Sequence, residues 1–344
     1  MTLKWGIIGC GDVAERKGGP ALYGVEGSEL VAVMRRDIAK AEDFARRHGA
    51  KRWYSQAGDL LDDPEVNAVY VATPVHLHRD YTVQAAKAGK HVLCEKPMAI
   101  NAEQCREMIA ACRENGVKLM IAYYRRTYPI VQKIKQLLEE GVVGTPMLVR
   151  VNLTGYYNPP APNAPGEWRS DPAISGGGVM FDVGSHRLDV MVYLLGEVEK
   201  VAAFSETLHC GYKAEDSAVL SMKLGNGMHG GANFNWNVGS SSDEFEIYGT
   251  EGKILARPLD GGHLEVYRGK QMEVFELPPP KVTHWGLVEN FVQAVNEGMP
   301  LLCSGEEGMK TSLIMEAAYG SAKTGRAERV GKVRLKERGQ QGRK

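Results

Sequence analysis

Short apolar runs alternate with longer amphipathic stretches over the first third of the chain. The runs are rich in Val, Ile and Leu, and the stretches between them carry apolar residues at helical spacing. Such alternation predicts parallel strands with helices on both faces of the sheet. The predicted strands are 4–8, 30–34, 68–72, 90–93 and 118–122, and the predicted helices are 38–48, 77–88 and 102–115. The helices end near Gly49, Gly89 and Gly116, as helices with a glycine cap do.

The second half of the chain has a different pattern, in which short runs alternate between polar and apolar residues and are separated by glycine-rich turns. This pattern predicts strands with one polar and one packed face. Phe234 and Trp236 are expected on the packed face, and Asn233, Asn235 and Asn237 on the polar face. The predicted strands are 198–204, 217–224, 231–238, 244–248 and 264–267.

Size and composition limit the classes of function. A chain of 344 residues with 43% hydrophobic residues is long enough for two domains. Lys plus Arg and Asp plus Glu number 42 each, so no net field favours nucleic acid or an anionic membrane. No apolar run approaches the ~20 residues of a membrane span, and no signal-like segment opens the chain. We therefore expect a cytoplasmic protein without a nucleic-acid or membrane partner.

The cysteines give no sign of a metal site or a disulfide framework. They stand at positions 10, 94, 105, 112, 210 and 303, with no CxxC pair. No cluster of Cys and His has the spacing of zinc ligands. We therefore expect buried free thiols and no bound metal.

A glycine-rich turn, GCGDVA at residues 9–14, follows the first predicted strand and precedes a helix. Gly9 permits the tight turn, and Gly11 lets the backbone approach a pyrophosphate. The helix N-terminus at Asp12 and Val13 presents free amides to phosphate groups. The turn therefore predicts a dinucleotide site in a doubly wound Rossmann domain.

The end of the second predicted strand bears on the choice of dinucleotide. Sites for NAD usually have an acidic residue there, about 20 residues after the turn, which binds the ribose hydroxyls. This chain has Arg35, Arg36 and Asp37 at that place. An arginine pair can clamp a 2′-phosphate, and Arg35 can stack on adenine, so NADP is the favoured cofactor. In the alternative, Asp37 turns towards the ribose and the cofactor is NAD.

Two further strand ends are expected at the cofactor, because ligands of open α/β sheets bind at the carboxyl ends of the strands. Thr73 and Pro74 follow one strand, where a rigid turn can place a hydroxyl beside the nicotinamide ribose. Lys96 follows the next strand, in the segment Glu95-Lys96-Pro97. A lysine in this position is expected to point into the cofactor crevice rather than into solvent.

Three titratable residues share one face of an otherwise apolar helix. Asp182, His186 and Asp189 lie at i, i+4 and i+7, and three glycines at 176–178 predict a flexible start to this helix. A satisfied hydrogen-bond network in the core is one interpretation, and a metal site is another. With Lys96 predicted beside the nicotinamide, a catalytic role is the preferred interpretation.

Aromatic and basic residues are the predicted substrate contacts. Tyrosines and prolines at 156–165 predict a stiff loop, which Trp168 and Arg169 follow. Such side chains can stack on a sugar and hydrogen-bond to it, although a packed connector is an equal alternative. The predicted contacts are Tyr124, Arg125, Tyr156, Trp168, Arg169 and His284, with Asp182 and His186.

Together these motifs resemble those of the glucose-fructose oxidoreductase and inositol dehydrogenase family, Gfo/Idh/MocA. The resemblance covers nearly the whole chain. It implies a Rossmann domain that binds NAD(P) at residues 1–124 and an α+β domain for substrate binding and oligomerisation at residues 125–344. It rests on residues 9–14, 72–74 with His78, 95–97, 125–126 with Pro129, 168–169, 176–178 and 182–186.

The resemblance also implies a site and an assembly. It adds His78 and Glu95 to the cofactor contacts, and it implies that Lys96, Asp182 and His186 are the catalytic set. The second domain is expected to be an open, mostly antiparallel sheet with helices on one face. The outer face of such a sheet commonly makes a homodimer or homotetramer. The substrate is expected to be a sugar, a cyclitol or another polyol.

Hydride transfer between nicotinamide and a secondary alcohol is the expected reaction. His186 is the predicted base, Lys96 is expected to stabilise the developing alkoxide, and Asp182 to grip a neighbouring hydroxyl. Two alternatives stay open. One is a glycosidase that oxidises its sugar transiently so that elimination breaks the glycosidic bond. The other is a nicotinamide-binding sensor without turnover.

Overall fold

A parallel sheet forms the first half of the protein, in a computed structural model that describes residues 1–158 and 167–333. Its strands are β1 (Leu3–Ile8), β2 (Ser28–Met34), β3 (Arg52–Tyr54), β4 (Ala68–Val71), β5 (His91–Cys94) and β6 (Leu119–Ile121). The order is β3-β2-β1-β4-β5-β6, and every neighbouring pair is parallel. The order reverses between β1 and β4, which is where ligands bind in such sheets. The predicted Rossmann fold is confirmed.

Five helices connect the strands of this sheet, namely α1 (Gly19–Gly24), α2 (Ile38–His48), α3 (Ala57–Leu61), α4 (His78–Lys87) and α5 (Ala102–Glu114), and α6 (Pro129–Glu139) follows its last strand. The side chains of Asp37 and Asn101 accept hydrogen bonds from the first-turn amides of α2 and α5. Gly49 ends α2 with a φ of 76°. Short 3-10 turns occupy Val75–Leu77 and Tyr124–Thr127, and a π-helical segment spans Ala14–Gly18.

Within residues 1–122 the sequence pattern missed two short elements, β3 and α3. Strand β3 has three residues and lies at the edge of the sheet, with its side chains half-buried or exposed. Helix α3 has only five residues. Neither is long enough to show a hydrophobic period, since strands need about four residues and helices about ten to do so.

A second, nine-stranded sheet follows. Its strands are β7 (Pro146–Tyr156), β8 (Val198–Glu206), β9 (Ser217–Leu224), β10 (His229–Asn235), β11 (Asn237–Gly249), β12 (Gly252–Ala256), β13 (His263–Arg268), β14 (Gln271–Glu276) and β15 (Glu328–Arg329). The order is β14-β13-β12-β11-β7-β10-β9-β8-β15. Only the pair β7 and β10 is parallel among the described strands. The predicted mostly antiparallel sheet is confirmed.

The predicted strand 231–238 is wrong in one respect, because the chain turns at Trp236. The Trp236 amide donates to the carbonyl of Asp216, and the Trp236 carbonyl accepts from Tyr157. Strand β10 therefore ends before this residue and β11 begins after it, on the opposite side of β7. Phe234 and Trp236 are buried as predicted, whereas Asn237 belongs to a different strand from its two asparagine neighbours.

The remaining helices are α7 (Pro172–Ser175), α8 (Ser185–Leu195), α9 (Trp285–Asn296) and α10 (Gly305–Thr324). Short 3-10 turns span Glu167–Ser170 and Leu259–Gly261, and a second π-helical segment spans Met180–Gly184. Helix α10 packs on one face of the nine-stranded sheet, where the Ser321 hydroxyl accepts from the Ala203 amide at 3.0 Å. On the other face Phe204 is 77% exposed, beside Val219 on the next strand. Assembly through this face stays a prediction.

The described helices also bear on membrane association. None of those within residues 1–158 and 167–333 is both long and apolar enough to cross a bilayer.

All six cysteines are free, and only Cys210 is not buried.

Candidate active site

A cavity of about 900 Å³ lies at the carboxyl ends of the parallel strands and extends to the start of α8. Both halves of the chain contribute to its wall. The lining residues are Gly9, Gly11, Asp12, Val13, Arg16, Lys17, Met34, Arg35, Arg36, Asp37, Lys40, Ala72, Thr73, Pro74, Val75, Leu77, Tyr81, Glu95, Lys96, Pro97, Tyr124, Arg125, Trp168, Arg169, Ser175, Asp182, Val183 and His186.

The glycine turn after β1 lies against the loop after β4. Gly9 has a φ of 91°, and a Cβ atom there would lie 2.8 Å from the Thr73 methyl group. Only glycine fits this backbone and this spacing. Next to it, the Thr73 hydroxyl is buried and has no hydrogen-bond partner in the described residues. This end of the cavity therefore has a narrow backbone cradle and an unsatisfied polar group.

Arginine side chains line the far end of the cavity, after β2. Arg35 donates to the carbonyl of Cys10 at 3.3 Å, and Arg36 is exposed beside it. Asp37 is engaged elsewhere, because it caps α2 at the amide of Lys40 and lies 2.9 Å from the Lys40 ammonium. These hydrogen bonds from Lys40 lower the pKa of Asp37. The cavity thus presents two guanidinium groups and a carboxylate that is already paired with Lys40.

His78 does not line the cavity, contrary to its predicted role as a cofactor contact. Its ring is buried, with Nε2 2.8 Å from the Thr73 carbonyl and Nδ1 2.9 Å from the Pro97 carbonyl. Burial lowers its pKa. The ring joins two loops that do line the cavity. His78 therefore positions these loops rather than touching a ligand.

His284 likewise does not line the cavity, although it contacts lining residues, and it is fully buried. Its Nε2 lies 2.8 Å from the Glu95 carboxylate, which also accepts from the Tyr70 hydroxyl at 2.6 Å. Burial would raise the pKa of Glu95, but the hydrogen bonds from His284 and Tyr70 lower it to about 2. The carboxylate also accepts from the Lys96 amide at 3.2 Å. Glu95 and His284 therefore hold the backbone that carries Lys96.

Lys96 projects from the end of β5 into the cavity and meets Asp182. Its Nζ atom lies 3.0 Å from Asp182 Oδ1 and 3.1 Å from the Asp182 carbonyl oxygen. Arg169 Nε lies 3.4 Å from the other carboxylate oxygen. Burial would raise the pKa of Asp182, but the charges of Lys96 and Arg169 hold it below its usual value. An ionised carboxylate is therefore clamped between two cations.

His186 lies one turn beyond Asp182 and completes this end of the cavity. The ring is buried, and its Nδ1 has no partner in the described part of the chain. Burial and the nearby charges of Arg125 and Lys96 lower its pKa well below the usual value. His186 is therefore a neutral imidazole near pH 7, which can accept a proton.

Tyr124 and Arg125 line the cavity as predicted. The Tyr124 ring lies 5.1 Å from the His186 ring and 5.0 Å from the His284 ring, centroid to centroid. Arg125 is held by the Asp260 carboxylate, with Nε donating at 2.6 Å. The same guanidinium donates to the Tyr124 hydroxyl at 3.1 Å. Both side chains are thus fixed on the wall next to His186.

The predicted sugar-stacking residues divide into two groups. Trp168 and Arg169 line the cavity, and the Arg169 guanidinium lies 4.5 Å from the Trp168 ring centroid. Tyr156 lies near the end of β7, is 61% exposed and does not reach the cavity. Tyr156 therefore stays a predicted contact that the described cavity wall does not include. The prolines predicted to stiffen the loop, at 159–165, lie outside the described residues.

Two family models match the chain. One, described as an oxidoreductase family with an NAD-binding Rossmann fold, matches residues 3–123, and the GFO/IDH/MocA C-terminal domain matches residues 131–255. Oxidoreductase P35 from Formosa agariphila is 34% identical, and the alignment covers 93% of this chain and 99% of that protein. The chain belongs to the Gfo/Idh/MocA family.

Solved structures of sugar-active members of the Gfo/Idh/MocA family have the same fold. The chain is 28% identical to aldose-aldose oxidoreductase from Caulobacter crescentus complexed with glycerol, with a TM-score of 0.87 over 96% of this chain and 100% of that one. It is 26% identical to levoglucosan dehydrogenase in complex with NADH, with a TM-score of 0.87 over 97% and 100%. The chain is therefore an oxidoreductase of this NAD(P)-dependent family.

The Gfo/Idh/MocA cavity of this chain fits a dinucleotide. The backbone cradle at Gly9 and Gly11 and the helix start at Asp12 and Val13 face the cavity, as phosphate groups require. The buried Thr73 hydroxyl would gain a partner from the bound cofactor. No group of three or more His, Cys, Asp or Glu side chains in the described ranges is placed to hold a metal ion.

Asp189 is the one member of the predicted helix face that lies outside the cavity. It forms a buried ion pair with Arg126, at 2.8 Å from Nη2, and each side chain is 1% exposed. Arg126 also donates to the Leu302 carbonyl at 2.9 Å. For Asp189 the buried network is thus the correct interpretation, because the side chain points towards the loop after β6.

The three glycines before Asp182 serve close packing rather than the predicted flexibility. A Cβ atom at Gly178 would overlap the backbone of Glu215, and one at Gly177 would overlap the Tyr319 hydroxyl. The buried Glu215 carboxylate accepts from the amides of Gly178 at 2.6 Å and Met180 at 3.1 Å. The start of the π-helical segment is therefore held firmly, and Asp182 with it.

Lys17 is a cavity residue that the sequence interpretation missed. It lies in the first π-helical segment, and its Nζ is 3.5 Å from the Tyr124 hydroxyl. A signal was present, since position 17 lies in the helical segment that directly follows the glycine-rich turn. Tyr81, Ser175 and Val183 also line the cavity without having been predicted.

Proposed function

We propose that this protein transfers hydride between NAD(P) and a secondary alcohol or ketone of a sugar, cyclitol or related polyol. The observation that carries the proposal is the Lys96–Asp182 pair, 3.0 Å apart, in one cavity with His186 and with the dinucleotide cradle. Pocket-lining aromatic and charged residues, including Trp168 and Arg169, suit a polyhydroxylated ligand.

His186 acts as the proton acceptor in alcohol oxidation. Its depressed pKa keeps the imidazole neutral, and a neutral ring can take the hydroxyl proton. The bound nicotinamide would supply the hydride acceptor. Lys96 donates hydrogen bonds and positive charge at the reacting oxygen, where negative charge develops. Asp182 orients the ammonium group of Lys96 and binds a neighbouring hydroxyl. In the reverse direction the same groups return the proton.

NADP is the cofactor that we propose, with NAD as the alternative. Arg35 and Arg36 line the adenine end of the cavity, and the carboxylate that would bind the NAD ribose, Asp37, is paired with Lys40. A 2′-phosphate would be met by two guanidinium groups. An NAD ribose would have to compete with Lys40 for the carboxylate.

A panel of sugars and polyols, assayed with NADP⁺ and NAD⁺ separately, tests both proposals. We expect reduced nicotinamide to accumulate with at least one substrate, and kcat/KM to be higher with NADP⁺ by about tenfold or more, as charge-assisted hydrogen bonds to a phosphate imply. Arg36→Ala should reduce this preference. The control is Arg46→Ala, because Arg46 is exposed on α2 and pairs with Glu42, outside the cavity.

Other outcomes of the panel contradict the proposal in distinct ways. A strong preference for NAD⁺ would contradict the role given to Arg36. Release of an aglycone with no net change in the cofactor would replace the redox reaction by glycoside cleavage through transient oxidation. Cofactor binding without turnover of any sugar or polyol would favour a sensor.

The pH dependence of sugar oxidation tests the role of His186. Burial and the charges of Arg125 and Lys96 lower the pKa of His186 well below its usual value, so we expect the ring to stay neutral and kcat/KM to stay level between pH 8 and 6. A histidine with the ordinary pKa of about 6.5 would lose roughly three quarters of the activity by pH 6. The measurement is kcat/KM for the best substrate across this range.

Substitution of His186 separates this effect from general acid inactivation. His186→Gln should lower kcat by about a hundredfold or more at every pH, because the proton acceptor is lost. An acid limb with a midpoint at or above pH 6.5 in the wild type would rule out the depressed pKa. A His186→Gln variant with near-normal kcat would rule out His186 as the base.

A further inference from the structure

Several cationic side chains lie at the catalytic end of the cavity. Among them, Lys17 is the one that has no carboxylate partner in the described residues. Around the catalytic end, Lys96 and Arg169 share Asp182, and Arg125 is paired with Asp260. Lys17 is half-buried and approaches the Tyr124 hydroxyl at 3.5 Å, with its Nζ 5.4 Å from the ring centroid. The charge of Lys17 acts on both Asp182 and His186. A positive charge is thus left uncompensated at the wall where the substrate binds.

The hydrogen bonds that the Tyr124 oxygen accepts leave the Tyr124 hydroxyl as a donor at the same wall of the cavity. The Tyr124 oxygen accepts from Lys17 and from Arg125 Nη1. Two donors already occupy the lone pairs of the phenol, so its own proton is directed outward. No acceptor for this proton is found in residues 1–158 and 167–333. Lys17 and Tyr124 therefore offer two adjacent donors, one charged, to a ligand with two acceptor oxygens.

We propose that Lys17 and Tyr124 form a carboxylate subsite, so that the sugar substrate is an acid, of the uronic or aldonic class. This inference rests on the proposed function for the identity of the cavity. A carboxylate has two oxygens and one charge, which match one ammonium and one phenol. A neutral sugar would leave the partly buried ammonium without a counter-charge, which is unfavourable in a cavity closed by ligand.

The pyrophosphate of the dinucleotide is a different candidate for Lys17, and the position of the residue argues against it. The amides that suit phosphate lie at Gly11 and Val13, at the start of the helical segment. Lys17 lies a turn further on, against Tyr124, whose ring packs on His186. The ammonium is therefore on the substrate side of the cavity.

The test compares binding of matched pairs of acidic and neutral ligands to the protein saturated with NADPH, in which sugar oxidation cannot proceed. The pairs are D-glucuronate with D-glucose, D-galacturonate with D-galactose, and D-gluconate with D-sorbitol, measured by calorimetry. We expect at least one acid to bind about tenfold or more tightly than its neutral partner, as charge-assisted hydrogen bonds imply. Lys17→Met should remove most of this ratio, and Lys17→Arg should retain part of it.

The control variant is Lys87→Met, because Lys87 is exposed at the end of α4 and does not line the cavity. It should leave the ratio of acid to neutral affinity unchanged. If no acid in the panel binds more tightly than its partner, or if Lys17→Met leaves the ratio intact, the subsite does not exist. If Lys17→Met instead weakens NADPH binding and both members of a pair equally, Lys17 contacts the cofactor and the proposal is overturned.

The experiment distinguishes failure of the proposed subsite from failure of the proposed reaction. An acid preference that depends on Lys17, in a protein that reduces neither NADP⁺ nor NAD⁺, would leave the subsite standing and reject the proposed reaction. Turnover of neutral polyols with no preference for acids would support the proposed reaction and reject the subsite. Rising ionic strength should weaken binding of the acid more than that of its neutral partner, since salt screens the charge pair.

Discussion

Replacing Lys96 with methionine is expected to lower kcat by about a thousandfold, because the transition state loses the charged donor at the reacting oxygen. Lys96 Nζ is held 3.0 Å from Asp182 Oδ1, so its ammonium is preorganised where the alkoxide develops. Methionine preserves the length and the apolar stem of the side chain but has no charge. The measurement is steady-state kcat and KM with the best substrate of the panel.

Dinucleotide binding should change little in this variant, since the cradle at Gly9 and Gly11 is untouched. Lys87→Met is the matched control, because Lys87 is exposed at the end of α4 and does not line the cavity. Its kcat should equal that of the wild type. A Lys96→Met protein that binds NADP⁺ normally and retains more than about a tenth of the wild-type kcat would remove Lys96 from the mechanism.

The dinucleotide half of the site could be predicted because it depends on backbone and topology. Gly9 needs a left-handed φ, and the ends of parallel strands converge whatever the side chains are. Lys96 follows one of these strands directly, so its place in the cavity follows from the order of elements alone. The same reasoning correctly brought Thr73 and Arg35 to the cavity.

The histidines show where such reasoning stops. His78 and His284 carry the same side chain as His186, and nothing local distinguishes them. Their partners are distant in the chain, since His78 meets Pro97 and His284 meets Glu95 across 189 residues. Whether a histidine faces a ligand or fixes a loop depends on tertiary contacts of this kind, which one sequence does not display.

Asp189 illustrates a different limit, that of helical spacing. Three residues at i, i+4 and i+7 share one face of a regular helix, but this face is wide enough to meet both the cavity and the core. Here Asp182 lies in a π-helical segment and Asp189 in α8, where Arg126 reaches it from the loop after β6. Spacing predicted one shared face, but only Asp182 and His186 line the cavity.

Asp189→Ala is expected to destabilise the fold by about 3 kcal/mol, because it removes the main counter-charge of the buried guanidinium of Arg126. Arg126 is 1% exposed, and the carboxylate that then remains is Glu307, which is 36% exposed and lies 3.5 Å from Arg126 Nη1. The measurement is the shift of the urea unfolding midpoint relative to the wild type. The midpoint should fall well below that of the exposed control Glu103→Ala, whose partner Arg106 stays in solvent.

The double variant Arg126→Met with Asp189→Ala distinguishes loss of a charge partner from loss of packing. Removing both charges also removes the buried guanidinium that has lost its main counter-charge, so the double variant should be more stable than Asp189→Ala alone. Destabilisation that simply adds between the two sites would mean that Asp189 contributes by shape and not by charge. Since Asp189 lies outside the cavity, the coupling should affect stability while Lys96 and Asp182 remain paired. The effect on stability would thus distinguish Asp189 from Asp182, the acid for which we propose a role in the reaction.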